Sequence, residues 1–401
     1  MKIFILDTVK PQLNNAGAVH RWELIRNLAK IGHDVWVIAY KDIEIKRVHT
    51  TLLKAKEGVI GKLSSRFRYV GLLFKLAMRH HFDILYTRNG LTGVIGYLLK
   101  IITGSKLVYE LNGILSDEWE TIRKENRANL FKRVEMAMLI RIEMFALKKA
   151  DAIIAVTEGI KNYLTNHGIS KGKITVIGNG VNIDMFKPIN NFVILHRLRK
   201  QYNINEDDHV IGFVGNLAPW QGIEYLIKSA PLIIEKFQKM KFLIVGDGIM
   251  RKELENMVKE LKLDDKFIFT GIVPYELVPK FISISDVCVC PSPINSYFQT
   301  SGGSSLKIFE YLACGKPVVT GDIKGDSDLV VNSNSGFAVR SEDREELAEA
   351  IIKLLKNEKL RLWMGENGRE AVVKNHSWKR TAEKVVEVYE KIIQRKEENG
   401  Y

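Results

Sequence analysis

Three glycine-bearing segments stand between a strand-like run and a helix-like one. They are Asn15-Ala16-Gly17 after KIFILD, residues 216–222 after HVIGFVG, and Ser301-Gly302-Gly303-Ser304-Ser305 before the run carrying Lys307 and Glu310. Glycine at such a junction lets the backbone approach a phosphate, whose charge is stabilised by the first amides and the dipole of the helix. Glu310 has two readings. Its carboxylate can accept hydrogen bonds from two neighbouring hydroxyls of a ribose, or it can simply complement the positive end of its own helix. Gly246-Asp247-Gly248 is followed by Arg251 where a dinucleotide fingerprint needs a third glycine, which argues against an ordinary dehydrogenase. No convincing Ser/His/Asp set is visible. Only His80 and His81 are adjacent histidines, and no His/Asp/Glu spacing matches a metal site.

The elements that would carry these residues alternate. KIFILD, a helical period over residues 17–31, DVWVIA, DILYT, KLVYEL, a long helical stretch to Lys149, DAIIAV and KITVIG form one βα series. After NGVNIDMFKP and a polar connector, HVIGFVG, KFLIVG, KFIFTG, DVCVCP and KPVVTG form a second. Continuous apolar strands imply parallel sheets covered on both faces. The predicted fold is therefore α/β with two Rossmann-like domains, residues 1–190 and 191–376, and a closing helix, residues 377–401, packing back toward the first. Open parallel sheets bind ligands beyond their C-terminal strand ends, so two such domains facing each other create a cleft for two substrates. A chain of 401 residues suits that division.

Charge is distributed unevenly. Residues 1–188 hold 30 Lys+Arg against 17 Asp+Glu, whereas the remainder is balanced at 30 each, so the whole excess of +13 lies in the first part. Residues 46–80 carry nine basic residues and one acid, Glu57, interleaved with Leu63, Phe67, Tyr69 and Leu72. That mixture suits an anionic membrane surface or an anionic acceptor, or else a solvated helix covering core. Nucleic-acid modules are not recognisable. The start MKIFIL shows no secretory signal, and the apolar stretch 91–104 is interrupted by Lys100 and too short to span a bilayer. A cytoplasmic protein, peripheral at most at the inner membrane face, is expected. Cys288, Cys290 and Cys314 are odd in number and lie in apolar contexts, which suits buried thiols.

AGAVHRWELIRNLAKIGHDV, KKADAIIAVTEGI, VIGNGVNIDMFKP, FVGNLAPWQGIEYLI, LIVGDG and LKIFEYLACGKPVV, in this order, resemble the retaining glycosyltransferases of family 4, with the GT-B fold, over nearly the whole chain. The resemblance implies a nucleotide-diphosphate sugar of UDP or GDP type as donor, held mainly by the second domain. It implies a saccharide or polyprenyl-linked acceptor held mainly by the first, with no cofactor and no metal. Carried onto this sequence, Glu310 matches the second glutamate of the paired-glutamate motif and would hold the ribose. Gly17 would lie near the donor phosphates, Gly303, Ser304, Ser305 and Leu306 would present amides to phosphate and sugar, and Ile272 and Val273 would read the base.

The sequence also departs from that pattern. The first glutamate of the pair falls on Gly302, and the two basic residues that neutralise the diphosphate fall on Asn216 and Gln221. Lys307, one turn before Glu310, either restores a charge or pairs along its helix. Asn112, in YELNG, stands where the family often has a histidine, and either bonds a sugar or caps a turn. In such enzymes the leaving phosphate itself takes the acceptor's proton on the same face, so the protein's part is orientation and electrostatic stabilisation. A non-catalytic protein of the same fold, or a nucleotide-sugar epimerase, is the alternative.

Overall fold

The short apolar runs are strands buried on both faces. In β1 (Lys2–Val9), Ile3 and Ile5 enter one core while Phe4 and Leu6 enter another, the period-2 alternation of a strand covered by helices above and below. The computed structural model describes residues 1–9, 16–53, 58–115, 130–294 and 296–398. Its chain divides into two units, residues 1–179 with 378–401, and residues 180–377.

In the first unit, β1 is joined by β2 (Asp34–Ala39), β3 (Val48–Leu52), β4 (Ile84–Thr87), β5 (Lys106–Leu111), β6 (Ala152–Ala155) and β7 (Ile174–Val176). They form a parallel sheet of order β3-β2-β1-β4-β5-β6-β7. In the second, β8 (His209–Val214), β9 (Met240–Val245), β10 (Phe267–Gly271), β11 (Val287–Cys290), β12 (Val318–Gly321) and β13 (Gly336–Val339) form a parallel sheet of order β10-β9-β8-β11-β12-β13. Strand order reverses between β1 and β4 and between β8 and β11. These are the two places where loops diverge and leave a crevice at the C-terminal strand ends.

The helix Trp378–Glu398 belongs to the first unit. Ala382, Val385, Val388 and Tyr389 share a core with Leu24, Ile25 and Leu28 of the helix Ala16–Lys30, each large apolar side chain contributing roughly 1.5–3 kcal/mol through burial. Residues 180–190, placed with the first domain on sequence grounds, lie in the second unit. Val181 and Phe186 are buried in its core, and Arg369 donates to the carbonyls of Phe186 at 2.6 Å and Ile183 at 3.3 Å. Packing of these two side chains sets the boundary, not the change of composition after Pro188.

The basic stretch 46–80 is likewise divided. Its start is the edge strand β3, where Arg47 pairs with Asp34 at 3.4 Å, and its end is the helix Gly58–Arg79. Lys54, Lys56 and Glu57 lie outside the described residues, as does Asn15 of the first glycine segment. The stretch 91–104 is the helix Gly90–Thr103, whose Lys100 bonds Asp151 at 2.7 Å, and no helix among the described residues is long and apolar enough to cross a membrane. Cys288, Cys290 and Cys314 are buried free thiols.

Candidate active site

The second unit gathers its polar residues at the C-terminal ends of β8, β10 and β11. After β8 the chain turns through residues 219–221, and the helix Leu306–Ala313 points its first turn at the same place. Lys307 Nζ donates to Gln221 Oε1, lies 3.8 Å from Cys290 Sγ at the end of β11, and sits 5.5 Å from the centre of the Phe213 ring. Lys307 thus reaches out of its helix to the turn after β8, and a cation occupies the strand-end crevice. Asn216 is directed elsewhere, its Oδ1 packing against Gly248 in the loop after β9. The structure therefore brings Gln221 and Lys307 together, with the Lys307 stem passing Gly215, and turns the Asn216 side chain toward the loop after β9.

Glu310 lies in the second turn of its eight-residue helix, too far along for the helix dipole to be its reason. It is 8% exposed and accepts a 2.8 Å hydrogen bond from Tyr275 OH. Burial pushes its carboxyl from 4.5 up to about 7, against the opposing pull of the Tyr275 hydroxyl and the Lys307 charge. Such a group is ionisable near neutrality and has lone pairs left to accept further donors. Tyr275 was not singled out in the sequence. It follows Ile272 and Val273 in the loop after β10, where Ile272 is exposed and Val273 packs against the core that holds Glu310's neighbours. Ile272 and Val273 also line an open groove of about 590 Å³ with Leu198, Tyr202 and Thr270, and neither Lys307 nor Glu310 lines it.

The segment 303–306 was expected to present its amides to a phosphate, and the structure corrects part of this. Gly303 donates its N–H to Lys324 O at 2.8 Å, and Ser305 donates both its N–H, at 2.8 Å, and its hydroxyl to Asp326. Asp326 is 2% exposed, and a carboxylate so buried must be satisfied by nearby donors. Its burial raises the carboxyl's pKa against those bonds. A side chain at Gly303 would collide with the same carboxylate, which explains the glycine. The amides of Leu306 and Lys307 head the helix, where they have no intrahelical acceptor. Gly302 has φ +70°, a left-handed conformation that costs a residue with a side chain roughly 1–2 kcal/mol, so the backbone disfavours the carboxylate the resemblance expects there.

In the first unit, the matching switch point holds a buried polar network. Glu110 is fully buried; one carboxylate oxygen accepts from Tyr86 OH, and the other lies 2.8 Å from His20 Nε2 and 3.4 Å from Arg88 Nε, as an ion-pair contact rather than an aligned hydrogen bond. Burial alone would raise its carboxyl, but His20 and Arg88 outweigh that and pull it down to about 2. His20 Nδ1 is 2.7 Å from Asn179 Oδ1, and Asp7 accepts from the Arg88 N–H at 2.7 Å and from Thr92 Oγ1 at 2.8 Å. Gly17 touches this network through its carbonyl, 3.4 Å from Arg88, and Asn112 follows β5 with Oδ1 buried and without a hydrogen-bond partner. Among the described residues, no three His, Cys, Asp or Glu side chains come together as a metal-ligand set.

Two parallel α/β units, each with polar side chains gathered at the switch point of its sheet, make the architecture of a sugar-transferring enzyme of the GT-B fold. Residues 17–185 match the family model for Glycosyltransferase Family 4 and residues 196–371 that for Glycosyl transferases group 1. The chain belongs to this family of glycosyltransferases. It is 28% identical to the capsular polysaccharide biosynthesis glycosyltransferase CapM of Staphylococcus aureus, over 93% of this chain and 94% of that one. It is 25% identical to the Escherichia coli UDP-Gal:alpha-D-GlcNAc-diphosphoundecaprenol alpha-1,3-galactosyltransferase, over 79% of this chain and 77% of that one. Its fold matches Anabaena HepE, solved with UDP-glucose, with TM-score 0.73 at 21% identity over 98% of this chain and all of that one.

Proposed function

We propose that this glycosyltransferase is a retaining, metal-independent hexosyltransferase that moves a sugar from a UDP-type donor to a saccharide or lipid-linked acceptor. The observation that carries the reading is the pair of strand-end contacts in the second unit, Lys307 on Gln221 and Glu310 on Tyr275. Glu310 accepts the ribose hydroxyls, with Ile272 and Val273 beside the base. Lys307, the Gln221 amide and the helix amides of Leu306 and Lys307 face the diphosphate, where negative charge grows as the sugar–oxygen bond breaks. The nucleoside diphosphate leaves with that bond's electron pair, the acceptor oxygen attacks from the same face, and the departing phosphate takes the acceptor's proton. Asn216 orients the loop after β9, and Asn112 and Gly17 belong to the acceptor side. UDP is favoured over GDP because the E. coli relative and HepE are both named with uridine nucleotides.

The left-handed Gly302, with no carboxylate, is the feature that would suit a non-catalytic relative instead. Thermal unfolding with UDP, GDP and their sugar conjugates separates the two, since ligand at about 100 times its Kd stabilises by roughly 2.7 kcal/mol. A rise with UDP-sugar, lost in Glu310→Ala, together with a product of unchanged anomeric configuration by NMR, is the expected result. A shift with no sugar transfer to any acceptor would leave a binding protein, and no shift at all would overturn the assignment of the donor site.

A further inference from the structure

The helix Leu130–Lys149 carries an apolar stripe on its outer side. Phe131, Val134 and Met138 are 76%, 62% and 56% exposed, and Phe145 continues the same line at heptad spacing. The inner side is apolar too, with Ala146 and Leu147 buried in the core of the first unit. A helix apolar on both sides needs a second apolar neighbour.

Close packing fixes where that stripe lies. Gly90 and Gly93 of the helix Gly90–Thr103 press against Glu143 and Ala146, and Tyr97 meets Phe145, so the two helices run side by side with residue 143 level with residue 90. Gly90 follows β4 after Arg88 and Asn89, with Asn89 capping its helix, at the C-terminal edge of the sheet. Residues 130–142 therefore project roughly 20 Å beyond that edge at 1.5 Å per residue. The polar network of Asp7, Arg88 and Glu110 lies at this same edge.

We propose that the projecting half of this helix is a docking surface for an anionic lipid bilayer, entering the headgroup region with Phe131, Val134 and Met138. Charge selects this occupant. Arg133 and Arg141 are exposed on the same helix against one exposed acid, Glu135, and the helix Gly58–Arg79, which packs against Gly90–Thr103, adds Arg66, Arg68, Lys75 and Arg79 with no acidic residue along its length. A second copy of the chain would set these like charges against one another, whereas anionic headgroups neutralise them. Phe67 and Met78 of the helix Gly58–Arg79, 72% and 61% exposed, keep an apolar share within residues 46–80, and residues 131–138 add a second one. Docking here would hold the first unit's strand-end edge against the surface in which a lipid-linked acceptor resides.

The test is co-sedimentation of the full chain with phosphatidylcholine vesicles and with vesicles of mixed phosphatidylglycerol and phosphatidylcholine. The chain should partition to the mixed vesicles, less so as ionic strength rises, and not to phosphatidylcholine alone. Val134→Asp/Met138→Asp should lower that partition by about tenfold or more, and Arg133→Glu/Arg141→Glu should lower it on the anionic vesicles. These substitutions are at exposed sites, and both variants should keep the wild-type melting curve and any nucleotide-induced shift, so the result is independent of the donor assignment. Failure of the wild-type chain to bind, equal binding by wild type and the Asp variant, or a concentration-dependent dimer abolished by the same substitutions would overturn the proposal.

Discussion

Raising the pH through 7 should weaken the second unit and strengthen its hold on a nucleotide at the same time. Burial lifts the Glu310 carboxyl from 4.5 to about 7. The unfolded chain gives up that proton near 4.5 and the native chain only near 7, so across this interval the native state binds more protons and stability falls as pH rises. The full difference is about 3 kcal/mol, reached once the carboxylate is ionised in both states. Glu310→Gln removes the charge and keeps an oxygen for Tyr275, so the variant should unfold at a higher temperature than wild type above pH 7 and at a similar one near pH 4.5. Nucleotide affinity should move the other way, because ribose hydroxyls donate best to the ionised form. If only that form binds, affinity falls about tenfold from pH 8 to pH 6, with close to one proton released per UDP bound at the lower pH. Calorimetry in two buffers of different ionisation heat measures both quantities. UDP has its own phosphate ionisation in this range, and the Glu310→Gln profile isolates it. Superimposable profiles for wild type and Glu310→Gln, in melting temperature and in UDP affinity, would refute the reasoning.

Three further outcomes are expected. Lys307→Met should weaken UDP binding by roughly tenfold while leaving uridine binding unchanged, since the lost cation faces only phosphate; equal losses for both ligands, by calorimetry, would place Lys307 elsewhere. Asp326→Ala leaves the Ser305 amide and hydroxyl without their acceptor and should cost about 1–3 kcal/mol of stability and loosen UDP binding, whereas an unchanged melting temperature would show that the clamp carries nothing. Glu110→Gln in the first unit breaks a buried charge network and should lower stability by about 3 kcal/mol at neutral pH. Because Glu110 is held near 2 in the native state, its contribution is present above pH 4.5 and is lost as pH falls toward 2, so urea midpoints of wild type and variant should converge in acid.

Much of the fold was legible because parallel strands covered on both faces read as unbroken apolar runs, and KIFILD and HVIGFVG became β1 and β8 with their glycine-bearing loops at the strand ends. The boundary at 180 was hidden, since Val181 and Phe186 look like linker residues until the core they fill is seen. Glu310 was legible from its place after a glycine segment. Tyr275 and Asp326, its partner and the loop's anchor, were not, because a hydrogen bond between residues 35 apart or 21 apart has no periodic trace in sequence. The network of Asp7, His20, Arg88 and Glu110 was missed for the same reason, its members coming from four separate elements of the first unit. The outward stripe of the helix Leu130–Lys149 was visible only as hydrophobicity, since periodicity does not say which of two apolar sides meets the core.

The departures from the family pattern belong together once the backbone is considered. At residue 302 the chain is left-handed, and a Cβ would sit 2.9 Å from Lys324 O, so a glutamate would be strained as well as crowded. Gly303 and Ser305 give their amides to Lys324 and Asp326, drawing this loop toward the start of the helix 326–332 and away from the crevice. What remains facing the crevice is the head of the helix Leu306–Ala313, and Lys307 is its second residue. Lys307 takes its acceptor from Gln221, a position that in a cationic form would repel it. On the proposed donor site, glutamine at 221 and lysine at 307 act as one pair, the lysine supplying from the helix after β11 the charge that the resemblance expects in the loop after β8. Reversing only one half should fail. Gln221→Lys sets two ammonium groups against each other and should lower UDP affinity, whereas Gln221→Lys combined with Lys307→Gln should restore it to within about threefold, a non-additivity of contacting residues that a double-mutant cycle on UDP affinity measures directly. Additive losses in that cycle would show that the two side chains do not share the diphosphate.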